Sequence, residues 1–340
     1  MADLGKLMGR AMLRPEPSMK ASNMPRFGGF TAPSARPGML PLRSMPQEAV
    51  NHVCGAEGCA SAWRKPWKNR TRPIFEDEWG CSSKCIQKIV AATVRRETGE
   101  GVDADTTPHR HRVPLGLVLL AQGWITHPQL RAALDAQRNS GHGRIGDWLA
   151  ESCGLDQQRI TRGLGMQWNC PVFTTDGFTP GAMALVMPKR FVVEFGLVPL
   201  RVAGRSVLYL AAQDKLNAAP ALAIEHMSGL KVESGLLGEA RFQEVREGIL
   251  AAESVPVTMG NVPDEEALAL RITRRLEQGL PLASRLVRVH QYYWLRTWME
   301  AEAFGGTGTL PSTMGGVRDH LFTVGPAHRT APGVVSSSRA

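Results

Sequence analysis

Four cysteines carry the clearest chemical signal. Cys54 and Cys59 form a Cys-x4-Cys pair, and Cys81 and Cys85 form a Cys-x3-Cys pair. Paired thiolates at such spacing in a short segment suit a tetrahedral ion, zinc above all. Gly55 and Gly58 put the first pair on a turn. Cys85 opens a helical stripe of Ile86, Ile89, Val90 and Val94 that ends before Gly99. The second pair therefore sits at a helix N-terminus, whose dipole favours anionic sulfur. The segment has too little apolar mass to fold alone, so a structural zinc would contribute to folding directly. The alternative is four reduced cysteines packed in an apolar core.

A second constellation is repeated. The first copy reads Leu115-Gly116, Leu119-Leu120, Gly123, Trp124-Ile125, Leu130, Leu134, Gln137. The second reads Arg144-Ile145-Gly146, Leu149-Ala150, Gly154-Leu155, Ile160, Leu164, Gln167. Residues 115–137 and 145–167 are equal in length and offset by 30. An internal repeat means two copies of one supersecondary unit. Each unit reads as a helical hairpin: a short apolar helix, a glycine suited to positive φ, then a capped second helix. Thr126-His127-Pro128-Gln129 supplies an N-cap, a first-turn proline and a capping-box glutamine, and residues 156–159 play that part in copy two. A glycine at a helix start exposes backbone N–H groups that can receive phosphate. The plainer alternative is a small bundle whose leucines are core.

The two copies resemble the tandem motif of the MshE N-terminal domain family, the N-terminal domain of type II secretion and type IV pilus assembly ATPases. That family binds cyclic di-GMP, one copy serving each half of the dinucleotide. The resemblance implies ligand contacts at Leu115, Gly116, Leu119, Gly123, Leu134 and Gln137, and at Arg144, Ile145, Gly146, Leu149, Leu164 and Gln167. Arg144 can stack on guanine or pair with phosphate, and the apolar positions can sandwich bases. Copy one has Pro114 where the motif has arginine, with Arg112 two residues earlier. In copy two Cys153 takes the turn position and Gly154 follows it.

These constellations need elements to hold them. The chain has 340 residues, 43% hydrophobic, room for two or three small domains. The expected fold class is α+β and multi-domain. Residues 1–50 read as a disordered, mildly basic tail and 51–100 as the zinc-binding finger, whose knuckle and helix start resemble a treble-clef zinc finger. Residues 101–112, including His109-Arg110-His111-Arg112, read as a linker. The tandem hairpin covers 113–171, and 172–250 is expected as an α/β lobe of order αββαβα. The resemblance extends over this lobe too. Residues 251–263 read as a linker, 264–304 as a helical C-terminal region, and 305–340 as a mostly flexible tail. Within the helical region, 283–304 is expected as a heavily aromatic helix, with His290 packed or hydrogen-bonded beside it.

Net charge is +9, which permits anionic partners without choosing among them. Trp63, Arg64, Lys65, Trp67, Lys68, Arg70 and Arg72 mix aromatic and basic residues, so a nucleic-acid surface is one reading. A solvated loop with tryptophans under the metal site is favoured over it. No run long enough to span a membrane and no secretory h-region occurs, which leads to the expectation of a cytoplasmic protein. No Gly-x4-Gly-Lys-Ser/Thr loop, Gly-x-Ser-x-Gly or His-Glu-x-x-His motif is present, and Asp214 at a strand end stands alone. The expectation is therefore a non-catalytic regulator or adaptor that binds cyclic di-GMP. The alternatives are a structural adaptor docking a secretion or pilus component, and a zinc-dependent nucleic-acid binder.

Overall fold

The computed structural model describes residues 54–59, 72–99, 112–213, 217–303 and 310–325. The tails at 1–50 and 326–340, residues 63–70 of the basic-aromatic run, His109 to His111 and Asp214 lie outside the described residues. The chain mixes helices with three small sheets, an α+β arrangement with a cysteine cluster.

The element order opens with β1 (Ile74–Phe75), β2 (Glu78–Trp79) and α1 (Ser83–Gly99). The tandem repeat follows as α2 (Leu115–Ala121), α3 (His127–Ser140), α4 (Ile145–Cys153) and α5 (Gln157–Trp168). Then come α6 (Pro180–Met183), α7 (Lys189–Phe195), β3 (Leu197–Ala203), β4 (Val207–Ala212), α8 (Ala218–Ser228), β5 (Lys231–Leu236) and α9 (Glu239–Ala251). From α7 onward this is the αββαβα order that the sequence implies. The last group is β6 (Val257–Val262), α10 (Glu265–Gly279), β7 (Ala283–Val289), β8 (Tyr292–Trp298) and β9 (Val317–Val324).

Three expectations fail in that last group. Residues 283–298, read as a helix, form the antiparallel β7–β8 hairpin, with His290 at φ 52° in its turn. The supposed linker 251–263 contains β6, and the supposed tail 305–340 contains β9. Together they make a four-stranded sheet of order β6-β9-β8-β7, with β6 parallel to β9 and the rest antiparallel. The reason is burial on both faces. Every residue of β8 is buried, so the strand reads as an unbroken apolar run rather than an alternation. Tyr293 and Leu295 pack on α1 and α10, while Tyr292, Trp294 and Trp298 join the α/β lobe's core.

The sheet is thus the layer between two cores. One contains Phe75, Ile86, Val90 and Val94 of the cysteine segment with Leu268, Ile272 and Leu276 of α10. The other contains Phe191, Leu208, Leu210 and Phe242 of the lobe. An ion pair lies inside the sheet on the lobe side. Arg296 and Asp319 are cross-strand partners, 1% and 0% exposed, joined by bonds of 2.8 and 2.7 Å. Trp294 Nε1 donates to the same carboxylate at 2.8 Å, and Arg296 reaches Val186 O at 3.1 Å.

The β7 edge is closed by the cysteine segment. Glu76 N donates to Ser284 O at 2.9 Å, and Ser284 Oγ donates to Ile74 O at 2.7 Å. Leu286 N donates to the Glu76 carboxylate at 2.6 Å, and Arg288 N to Glu97 at 3.0 Å. Two carboxylates therefore take edge amides that would otherwise template another strand. Glu76 and Asp77 both have positive φ, 51° and 62°, making the tight turn that aims Glu76 at β7.

Two tests follow from these contacts. Asp319→Ala leaves a buried guanidinium without its carboxylate and should cost about 3–5 kcal/mol in urea denaturation. A loss below about 1 kcal/mol would show the pair to be dispensable. The second concerns pH. Burial pushes the Glu76 carboxyl up to about 7, against the Leu286 amide and Arg96, which pull it down. A raised folded pKa means the folded state keeps a proton that the unfolded state has released. The contribution is complete below the unfolded value of 4.5 and is lost as pH rises through about 7. Relative to Glu76→Gln, the wild type should lose up to about 3 kcal/mol between pH 4.5 and 8. Parallel pH profiles for the two proteins would refute the assignment.

Candidate functional site

The four cysteine sulfurs converge, all within 4.8 Å of one another. Cys59 to Cys81 is 3.5 Å, Cys81 to Cys85 3.3 Å, and Cys85 to Cys59 3.8 Å. A tetrahedral ion with metal–sulfur bonds of about 2.3 Å sets its ligands roughly 3.8 Å apart, so the quartet fits one. Cys54 and Cys59 lie on the turn and Cys81 and Cys85 flank the start of α1, as the spacing implies. The Cys81 amide donates to Cys54 Sγ at 3.4 Å, and the Cys85 amide to Ser82 Oγ at 3.3 Å. Burial pushes the Cys81 thiol up to about 12, while the Ser82 hydroxyl draws Cys85 down to about 7. Cys81 and Cys85 thus differ sharply in acidity, and a cation would be needed to hold both as thiolates.

The repeat folds as a pair of interlocked hairpins. Helix α2 packs on α5, and α3 on α4, so each copy's first helix meets the other copy's second. The closing glutamines make this reciprocal. Gln137 donates to Gly143 O, and Gln167 to Val113 O, each at 2.8 Å. The acceptors, like the donors, are 30 residues apart. Glycines set the helix approach. A Cβ on Gly116 would sit 2.6 Å from Leu130, one on Gly146 3.0 Å from Ile160, and one on Gly163 2.7 Å from Leu119. Leu119 and Leu149 are fully buried at the centre.

The displaced glycine of copy two is absorbed locally. Gly123 and Gly154 both have positive φ, 68° and 62°. Trp124 N donates to Leu119 O and Leu155 N to Leu149 O, so corresponding carbonyls are capped in both copies. Helix α4 runs for nine residues against seven in α2, which takes up the shift of the glycine.

A cleft of about 350 Å³ opens beside the repeat. Copy two supplies Arg144, Ile145, Gly146, Leu164 and Gln167, and copy one supplies Leu115. The structure brings these six of the twelve motif residues together. Gly116, Leu119, Gly123, Leu134, Gln137 and Leu149 do not line the cleft. Leu119 and Leu149 are core, and the Gly116 and Gln137 contacts are those just described.

Other walls come from positions that the motif does not contain. Trp168 follows the closing glutamine, and the Arg112 guanidinium stacks over its ring at 3.4 Å. Arg112 thus backs one wall residue without lining the cleft itself, and Pro114 takes the motif's arginine position. From the α/β lobe come Gln213 and Glu239. Glu239 accepts from Gln213 at 2.9 Å and Gln157 at 3.4 Å, and lies 3.9 Å from the Arg144 guanidinium. Arg144 is also held by Asp147 at 3.3 Å. Glu239 heads α9, where an acidic residue has an ordinary electrostatic reason to be, so no local signal marked it.

No protein-family model matches the chain, and no curated protein matches it. Among solved structures, one of MshE with cdg is similar at 22% identity, covering 40% of this chain and 98% of that one, with a TM-score of 0.33. Two crystal forms of the N-terminal domain of XpsE are similar at 17% and 18% identity. They cover 39% and 38% of this chain and 92% and 90% of theirs, with TM-scores of 0.28 and 0.23. Among the described residues, no helix is long and apolar enough to cross a membrane.

Replacing Cys59 or Cys85 with serine should abolish binding of one metal ion per chain, read by native mass spectrometry. The melting temperature should fall by roughly 10 °C, since an ion there would hold a segment that shares its core with α10. Full metal retention in both variants would place the ligands elsewhere.

Proposed function

We propose that this chain is a non-catalytic regulatory protein that binds cyclic di-GMP in the cleft beside the tandem repeat, and that its cysteine quartet holds a structural zinc ion. The observation that carries the first part is the cleft itself. One arginine, a glycine at a helix start, aliphatic walls and an arginine-stacked tryptophan converge there from the repeat, and the lobe adds Gln213 and Glu239. Aliphatic and indole surfaces suit a purine, and Arg144 suits a phosphate. The volume lies at the lower end of the usual range for small-ligand sites, which fits one guanylate half enclosed and the other on the open rim. That MshE was solved with cdg agrees with this choice of ligand.

Ligand binding would exchange one partner of Arg144 for another. Arg144 and Glu239 are about half exposed and 3.9 Å apart, a pair worth less than about 1 kcal/mol. A charge-assisted bond to phosphate is worth roughly 1.5–3 kcal/mol, so the phosphate would win. Because Glu239 belongs to the α/β lobe, the exchange releases one link between hairpins and lobe. Differential binding to two arrangements is then the whole mechanism, and no catalytic step is needed.

A structural adaptor is the second reading, and a specific observation favours it. Gln137, Gln167, Gly116 and Gly146 all have packing or bracing roles that need no ligand. Calorimetric titration with cyclic di-GMP separates the two. Binding is expected at micromolar or tighter concentration, weakened at least tenfold in Arg144→Ala and strengthened several-fold in Glu239→Gln. No heat and no thermal shift in the wild type would leave the repeat as scaffold for a protein partner, such as a secretion or pilus component.

A further inference from the structure

We propose that a second, smaller cleft, between the C-terminal end of α10 and the four-stranded sheet, is an oxyanion site that takes a single phosphoryl group. It encloses about 150 Å³ and is lined by Arg275 of α10, Arg318 and His320 of β9, Thr297 of β8, and Gln278. Arg318 and His320 are two apart on one strand, so they share the face that carries Phe322 toward α10. Asp319 between them points to the opposite face, where Arg296 holds it. The carboxylate nearest in sequence is thus spent on the other side of the sheet. Among the described residues, neither Arg275 nor Arg318 makes an ion pair. Glu277 of α10 is near Arg72 instead and does not line the cleft.

His320 adds a neutral donor. It is 8% exposed, and its Nδ1 is buried with no hydrogen-bond partner. An unpartnered lone pair costs less than an unpartnered N–H, so Nδ1 is the bare nitrogen and Nε2 carries the proton. Burial and the Arg275 charge both pull the imidazole pKa down, with Arg318 adding to them and Asp319 opposing, which keeps the ring neutral. The Thr297 hydroxyl already donates to Arg318 O at 3.3 Å, so it offers the ligand no proton.

Two guanidinium groups and one imidazole N–H make a site of charge near +2, rich in donors. A phosphate carrying about −1.5 to −2 matches it in charge and geometry better than a carboxylate. With a water's share of volume near 30 Å³, the cleft holds about five non-hydrogen atoms, one tetrahedral oxyanion. The negative end of α10 works against an anion here, and the two arginines outweigh it. The ligand class is inorganic phosphate or the end of a phosphate monoester whose remainder projects into solvent.

The test is titration of the full chain with inorganic phosphate at constant ionic strength, with O-phosphoserine as a second arm. One saturable phosphate per chain is expected, weakened at least tenfold in Arg275→Ala and in Arg318→Ala and unchanged in Arg144→Ala. Both substituted arginines are exposed, so their variants should melt with the wild type. Tighter binding of O-phosphoserine than of phosphate would identify an ester ligand, and the reverse order free phosphate. Absence of saturable binding, indifference to both substitutions, or loss only in Arg144→Ala would overturn the proposal. That last result would also leave the cyclic di-GMP reading standing.

Discussion

The bidentate bond between Arg296 and Asp319 is the constraint on which much of the architecture rests. Neither group reaches water, so each is tolerable only because the other is there. Asp319 also receives Trp294, and Arg296 reaches across to the Val186 carbonyl. The pair therefore fixes the register of β8 against β9 and ties that sheet to the lobe at one point. Apolar packing alone would hold the layers together with less regard for register, because a slipped strand would still bury its tyrosines and tryptophans. A slip by one residue would strand two charges in the core.

The cysteine quartet, read as a finger of its own, shares its core with the far end of the chain. Ile86, Val90 and Val94 are buried, as their spacing implies, but the surface that buries them belongs to α10 and the sheet. Glu76 and Glu97 extend this union to the backbone by capping the β7 amides. The geometry of the quartet and the stability of the sheet are consequently one problem. The hairpin repeat is held differently, by a two-fold exchange of helices and glutamine amides.

How legible this was depended on whether a signal was local. The cysteine pairs, the capping box at Thr126, the glycine turns and the αββαβα lobe are all written within a few residues of where they act. The β7–β8 hairpin was missed because burial on both faces erased its alternation. Its Val, Tyr, Trp and Thr content and the His290-Gln291 break were the available clues. Half of the cleft was likewise illegible. Leu115 and the copy-two residues could be named from their motif, whereas Gln213 and Glu239 arrive by tertiary packing alone. The glutamines, expected as ligand contacts, brace backbone carbonyls while Gln167 also lines the cleft, and nothing in a one-dimensional pattern separates the two roles.

The union of the cysteine segment with the last strands also has a kinetic side. Helix α1 emerges from the ribosome well before β7, β8 and β9, which cover its apolar stripe and lie some 200 residues later in the chain. Contacts of such sequence separation form late and slowly. Throughout synthesis of the hairpins and lobe, the stripe and the β1–β2 turn must wait without their partners. A metal ion captured by the nascent quartet would keep that segment ordered during the delay, and an element made early would be completed by a strand made much later.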